Sequence, residues 1–262
     1  RRLVGGVDQL CDHLTGRLSA AQCASLGLGF WTPERTLSQV EALLSQLRSD
    51  ANLAALARMT DREADIYSKK GRVTYFANAY LLDIFTDTTE RSPTFKIPPF
   101  RSANDTTSPA PWAFVKDPLR PTTEAWLHLI GHTPNCLEWS ADTYTQLKAP
   151  DKLIKNPPQI GLKDLHTYLI GNEPDASRTE VKPNLAMAVL VGNEAALLDQ
   201  GSPAAWSRAF AAAAAPFEAR SALVVGRRVP LGWQAELVHV DVEVPTTPLQ
   251  LFDHLALKLV LN

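Results

Sequence analysis

The chain has 262 residues, with 26 Lys and Arg against 28 Asp and Glu, a formal charge of −2, and 45% hydrophobic side chains. That is the composition of an ordinary globular protein, one large domain or two small ones, whose core needs no disulfide or metal staple. Near-neutral charge with no long run of either sign argues against sequence-specific nucleic acid as a partner, and the basic pairs Lys69–Lys70 and Arg227–Arg228 read as solvated.

Residues 1–90 read as a helical region. Val7, Leu10, Cys11, Leu14 and Leu18 recur at helical spacing over 7–25. Thr32-Pro33 offers an N-cap followed by proline at the first helical position, with an overlapping capping box at Thr36 and Gln39. Leu37, Val40, Leu43, Leu44 and Leu47 mark one apolar face of that helix. A second box, Thr60 with Glu63, predicts the start of a further helix. Beyond a break near Gly71, Val73, Phe76, Tyr80 and Ile84 fall at three- and four-residue steps, predicting another buried helical stripe.

Residues 91–183 read as a proline-rich extended connector with short helices. Thirteen of the nineteen prolines lie between 93 and 183, seven of them in the run Arg91–Thr123, whereas the first third holds only Pro33. Proline fixes φ, removes a donor and biases its predecessor to extended backbone, so the run 91–123 can be neither a long helix nor a central strand. Ordered extended chain must lie against something, and Phe95, Phe100, Trp112 and Phe114 are the candidate interface anchors. Short helices are expected at 122–130 and at 162–170, the latter ending on Gly171 as its C′ residue.

Residues 184–262 read as a region of strands packed with helices. Leu185–Val191 is an apolar run that suits a buried strand, although a helix also fits it. Ser202-Pro203 opens a helix with Trp206, Phe210 and an alanine run broken at Pro216, and Ala222–Val225 is a short strand. Leu237–Val244 alternates most clearly, with Val238, Val240, Val242 and Val244 on one side and His239, Asp241 and Glu243 on the other. Thr247-Pro248 begins a terminal helix with Leu249, Phe252, Leu255 and Leu259 on one face. The expected fold class is α+β, and the three regions are compatible with one continuous domain.

Few residues suggest chemistry. His239 and Asp241, with His254 downstream, contain the residue types of a two-histidine, one-carboxylate iron site, but a half-exposed strand face explains them more simply. His128, His132 and Cys136 repeat at four-residue steps and would suit zinc on an unbroken helix, which Gly131 and Pro134 argue against. Asp61, Glu63 and Asp65 sit where acids favour a helix dipole. No nucleophile elbow, phosphate-binding loop or C-x-x-C occurs, and Cys11, Cys23 and Cys136 suit a reducing compartment. No catalytic residue, cofactor or metal is therefore expected. Trp31, Trp112, Trp126, Trp139, Trp206 and Trp233 are spread along the chain, as core or interface anchors.

No stretch is apolar enough to span a membrane and no signal peptide is evident, while the opening Arg1-Arg2 suits a processed product or one stretch of a longer polypeptide. The leading expectation is a structural subunit of a large assembly, most concretely a viral capsid or shell protein, cytoplasmic or in a virion. Its partners would be copies of itself or sister subunits. The alternatives are an enzyme, a hydrolase or a metal-dependent oxygenase using 239–254, and a monomeric protein-binding module such as a toxin-blocking protein.

Overall fold

The computed structural model describes residues 12, 16–25, 32–93, 95–134, 139–157, 161–247 and 250–262. Val7, Leu10, Cys11, Leu14, Trp31, Cys136, Pro248 and Leu249 lie outside the described residues. Of the helix expected over 7–25, residues 12 and 16–25 are described; 16–19 are not helical, and α1, Ala20–Ser25, follows with Cys23 buried.

Helices and strands are both present, and among the described residues the strands form a single five-stranded sheet. Two N-terminal helices lead into it. α2 (Pro33–Leu47) starts where the sequence puts it, the Thr32 hydroxyl accepting from the Arg35 N–H at 3.2 Å. Leu43 and Leu47 are buried, but Leu37 is exposed. α3 (Asp50–Ser68) is capped by Ser49, so Thr60 and Glu63 do not open a helix but lie inside one. The corresponding expectation for the acids fails as well: Glu63 is buried, and Asp65 pairs with Lys69 at 2.7 Å on the surface.

The stripe Val73–Ile84 is not one helix. It divides into β1 (Arg72–Phe76), a turn, and α4 (Leu81–Thr88). Every residue of β1 is buried, because the strand is covered on both faces. The three- and four-residue steps arise from a strand and a helix burying neighbouring ends. Gly71 admits β1 beside β3: a Cβ there would stand 2.3 Å from the Pro183 carbonyl oxygen.

The proline-rich run yields β2 (Ala113–Lys116) and, in the expected place, α5 (Thr122–Ile130), which Gly131 ends at φ +79°. β2 occupies a sheet edge, the position proline-flanked chain permits. The short helices α6 (Ala141–Gln146), α7 (Asp151–Lys155), α8 (Leu162–Leu165) and α9 (Ala176–Thr179) follow. α8 ends well before Gly171. That glycine is no helix terminus: its N–H donates to the Thr122 hydroxyl at 3.0 Å, fastening the return chain to the start of α5.

β3 (Asn184–Val191) is buried throughout and leads through a 3₁₀ turn (Gly192–Leu198) to α10 (Ala205–Ala214), β4 (Ala219–Val225) and β5 (Glu236–Val240). The terminal helix α11 (Leu251–Leu261) buries Phe252, Ala256, Leu257, Val260 and Leu261. Leu259, expected on its inner face, is 40% exposed because the helix is rotated towards α4.

All strand pairs are parallel and the order is β2-β1-β3-β4-β5. Strands come from all three sequence regions and alternate with helices, so the architecture is a doubly wound α/β sheet and the strands are not confined to the C-terminal part. One face, with Val73, Tyr75, Met187, Val189, Leu223 and Val240, packs under α3, α4 and α11. The other, where Ala186, Ala188 and Ala222 keep the surface low, receives Trp206 and Phe210 of α10. Fully burying each large side chain contributes about 1.5–3 kcal/mol. The sheet ends at β5, but the chain beyond it is held by side-chain amides. Asn52 accepts from the Asp241 N–H at 2.8 Å and donates to its carbonyl at 3.0 Å, while Gln46 accepts from the Glu243 N–H at 2.7 Å.

Candidate functional site

In a doubly wound sheet the connections from β1 and β3 leave towards opposite faces, and a crevice opens above their C-terminal ends. Here that reversal lies between the chain after Phe76 and the chain after Val191. A crevice of about 430 Å³ occupies the place, bounded by Tyr80, Asn193, Glu194, Arg228, Thr247 and Asp253. Its base is tight: a Cβ on Gly226, which has φ +139°, would come 3.1 Å from the Gly192 backbone, so the close approach of the loops after β3 and β4 favours glycine at 226.

The turn that leads into α4 presents its polar groups to this crevice, and the protein satisfies them itself. Glu194 accepts from the Ala79 N–H at 3.0 Å and from the Asn78 side-chain amide at 2.9 Å, and its second oxygen accepts from the Val191 N–H at 3.4 Å. Burial raises the Glu194 carboxyl above its ordinary range in spite of these donors, and nearby Asp253 adds to the rise. Asp253 is itself raised by burial, partly offset by a backbone hydrogen bond and His254. Tyr80, facing both acids, is pushed well above the phenol range by burial and then by the charges of Asp253, Glu194 and Asp83. The arginines at the rim are already engaged: Arg227 with Asp241 and Glu243 at 3.1 and 3.4 Å, Arg228 with Asp199. The crevice therefore offers hydroxyls, amides and the carboxyls of Glu194, Asp253 and, at the rim, Glu243, with no uncommitted cation among its lining residues.

The residues singled out from the sequence are not brought together here. The His239 ring contacts the Gly226 carbonyl at 2.7 Å, and Asp241 and Glu243 face outward to Arg227. His254 is turned away from them, its Nδ1 2.8 Å from Asp83 and its ring 5.0 Å from that of Tyr80. The His128 ring meets the Asn78 carbonyl at 2.9 Å. His132, beyond the helix-ending Gly131, meets the Thr133 carbonyl at 2.8 Å. Among the described residues no group of three or more His, Cys, Asp or Glu could hold a metal ion.

Of the candidate interface anchors, Phe95 is 83% exposed. Phe100 packs its ring on Tyr168 at 5.1 Å and on Phe85 at 6.0 Å. Trp112 stacks on Tyr67 at 5.4 Å, and Phe114 is buried in β2. Among the described residues no helix is long and apolar enough to cross a membrane.

Glu194, in the 3₁₀ turn, and Asp253, in the first turn of α11, escape the sequence reading because no motif surrounds either, and Tyr80 reads there only as part of a buried helical stripe. One signal was present: an apolar strand, Leu185–Val191, running straight into Gly192-Asn193-Glu194, places a polar loop at the end of a central strand. No protein-family model, no curated protein and no solved structure matches this chain.

Proposed function

We propose that the chain is a ligand-binding α/β domain that takes a small, uncharged, hydroxyl-rich molecule in the crevice above β1 and β3. The observation that carries this reading is Glu194: its carboxylate takes the Ala79 N–H and the Asn78 side-chain amide in the turn before α4, donors that an anionic ligand would otherwise use. A phosphate entering there would meet that carboxylate and Asp253, whereas a polyol can donate to both and accept from Thr247 and Asn193. The function supported is recognition. The lining presents no nucleophile paired with a base, so the reading is of a binding or regulatory domain.

The test is a thermal-shift and calorimetric panel on the full chain, with hexitols and neutral hexoses against inorganic phosphate. Stabilisation by a neutral polyol, lost in Asn193→Trp, is expected. Stabilisation by inorganic phosphate equal to that by any polyol would sink the reading.

A second reading, association with copies of itself or sister subunits as in a shell, rests on a separate observation. Phe95 at 83%, Leu147 at 58% and Leu127 at 46% exposure place large apolar side chains on the surface of the middle region. Its measure is the sedimentation coefficient across a concentration series.

A further inference from the structure

On the face of the sheet opposite α3, a cavity of about 690 Å³ separates α10 from the chain segment that carries α9. Phe76 and Lys116 form its floor, Ala209, Ala212 and Phe217 one wall, and Asn172–Glu180 the other. It is distinct from the crevice described above and shares no lining residue with it.

Lys116 sets the chemistry of this cavity. It is the last residue of β2, paired in register with Phe76, and is only 5% exposed. Its ammonium donates to the Leu169 carbonyl at 2.7 Å, and among the described residues it forms no ion pair with a carboxylate. Beside it Arg178 is 2% exposed, and it too is held by neutral acceptors: the Thr74 hydroxyl at 2.9 Å and the carbonyls of Val73 at 2.6 Å, Trp112 at 3.1 Å and Pro111. The nearest acids already accept other hydrogen bonds. Glu173 accepts from the Thr122 N–H and hydroxyl, both at 2.6 Å, and Asp175 accepts from the Ser177 N–H at 3.0 Å and hydroxyl at 2.6 Å. The α10 wall contributes only apolar groups. Two buried cations thus share a chamber whose α10 wall is apolar; Glu173, Asp175 and Glu180 also line it, but among the described residues no carboxylate forms an ion pair with either cation, a costly arrangement that an entering anion would relieve.

We propose that this cavity binds an apolar monocarboxylate, of the size of a medium-chain fatty acid, with its head on Lys116 and its tail along the alanine face of α10. The volume lies in the range of pockets for such molecules, and an apolar wall with one polar anchor is their usual recognition pattern.

Burial lowers the Lys116 ammonium to about 8, with Asp175 and Glu173 opposing the fall and Arg178 adding to it. A bound carboxylate favours the charged amine. Affinity is therefore full where the free amine is protonated and declines as pH rises above that value.

The experiment is calorimetric titration of the full chain with octanoate, and with octan-1-ol as the headless control. Octanoate is expected to bind at about pH 7 at least about tenfold more tightly than octan-1-ol, and to weaken by about tenfold or more towards about pH 10. Lys116→Met should lose about tenfold in octanoate affinity while leaving octan-1-ol unchanged. Ala212→Trp, at an exposed helix position, should fill the chamber and abolish both without lowering the melting temperature. No binding of octanoate by the wild-type chain, equal affinity for the acid and the alcohol, or undiminished octanoate binding by Ala212→Trp overturns the proposal. None of these outcomes bears on the polyol crevice, so the two readings stand or fall separately.

Discussion

Replacing Glu63 by alanine should cost far more than any other carboxylate on α3, and the structure says why. Glu63 is 3% exposed, and its two oxygens collect three donors from three elements. Arg91, after α4, reaches it at 2.6 Å, Tyr67 at 3.2 Å, and the Tyr75 hydroxyl from β1 in a short hydrogen bond. Burial, and then the Glu63 charge, push the Tyr75 hydroxyl well above the phenol range, so it remains a donor at any working pH. Arg91 goes on to bind Asp87 at 2.8 Å and the Leu261 carbonyl at 2.8 Å, tying the end of α11 into the same cluster.

Removing one partner of a buried pair costs about 3–5 kcal/mol. The low end, about 3 kcal/mol, applies here, because Arg91 keeps Asp87 as a counter-charge. The Tyr75 hydroxyl, left fully buried without an acceptor, adds about 1–2 kcal/mol. Glu63→Ala should therefore lose about 4–5 kcal/mol in urea unfolding, a fall in melting temperature of roughly 10 °C or more for a chain of this size. Asp65→Ala is the internal control. Its partner Lys69 lies at 2.7 Å, but both side chains are more than half exposed, and such a pair contributes about 0–0.5 kcal/mol. A Glu63→Ala variant within about 1 kcal/mol of wild type, or indistinguishable from Asp65→Ala, would refute the view that this cluster holds the helical layer to the sheet.

Two further outcomes follow from the crevice and the surface. Glu194 and Asp253 have folded-state affinities for protons raised above the ordinary carboxylate range by burial. Their contribution to stability is thus complete in acid, below the unfolded values of about 4, and is lost as pH rises through the raised folded values. Glu194→Gln should accordingly gain on wild type between about pH 4 and about pH 7 in urea midpoints, and a difference that stays flat or reverses contradicts the assignment. If the chain associates through its middle region, Phe95→Asp should sediment as a monomer where wild type grows heavier with concentration, at an unchanged melting temperature. Identical sedimentation of the two would remove Phe95 from any interface.

How much of this was legible in the sequence depended on how a segment meets solvent. β5 and the extended chain after it could be read because they lie at the sheet edge with one wet face: Val238, Val240 and Val242 are buried while Asp241 and Glu243 are exposed, so the alternation survives in the letters, although the strand itself ends at Val240 and not at Val244. β3 was legible as an apolar run, since a central parallel strand is covered on both faces and needs no alternation. β1 was misread for the same reason. Five buried residues followed at once by a helix with its own buried Leu81 and Ile84 mimic a single helical stripe. The prolines rightly excluded a long helix and a central strand from 91–123, but they also hid β2, four residues at the one place such chain can join a sheet.

The crevice was illegible for a deeper reason. Its residues come from the ends of several strands, and what brings Tyr80, Glu194 and Asp253 together is strand order, which no local spacing encodes. The order itself follows from packing. Ala186, Ala188 and Ala222 leave room for α10 on one face, while Tyr75 and its Glu63–Arg91 cluster hold α3 and α11 to the other. With helices fixed on both faces, the chain must reverse its direction of winding between β1 and β3, and an opening at that reversal is unavoidable. What the sequence then chooses is the content of the opening. In this chain the choice is a carboxylate, Glu194, set on the Ala79 N–H and the Asn78 amide in the turn before α4. That one residue turns a general property of the architecture into a selective one.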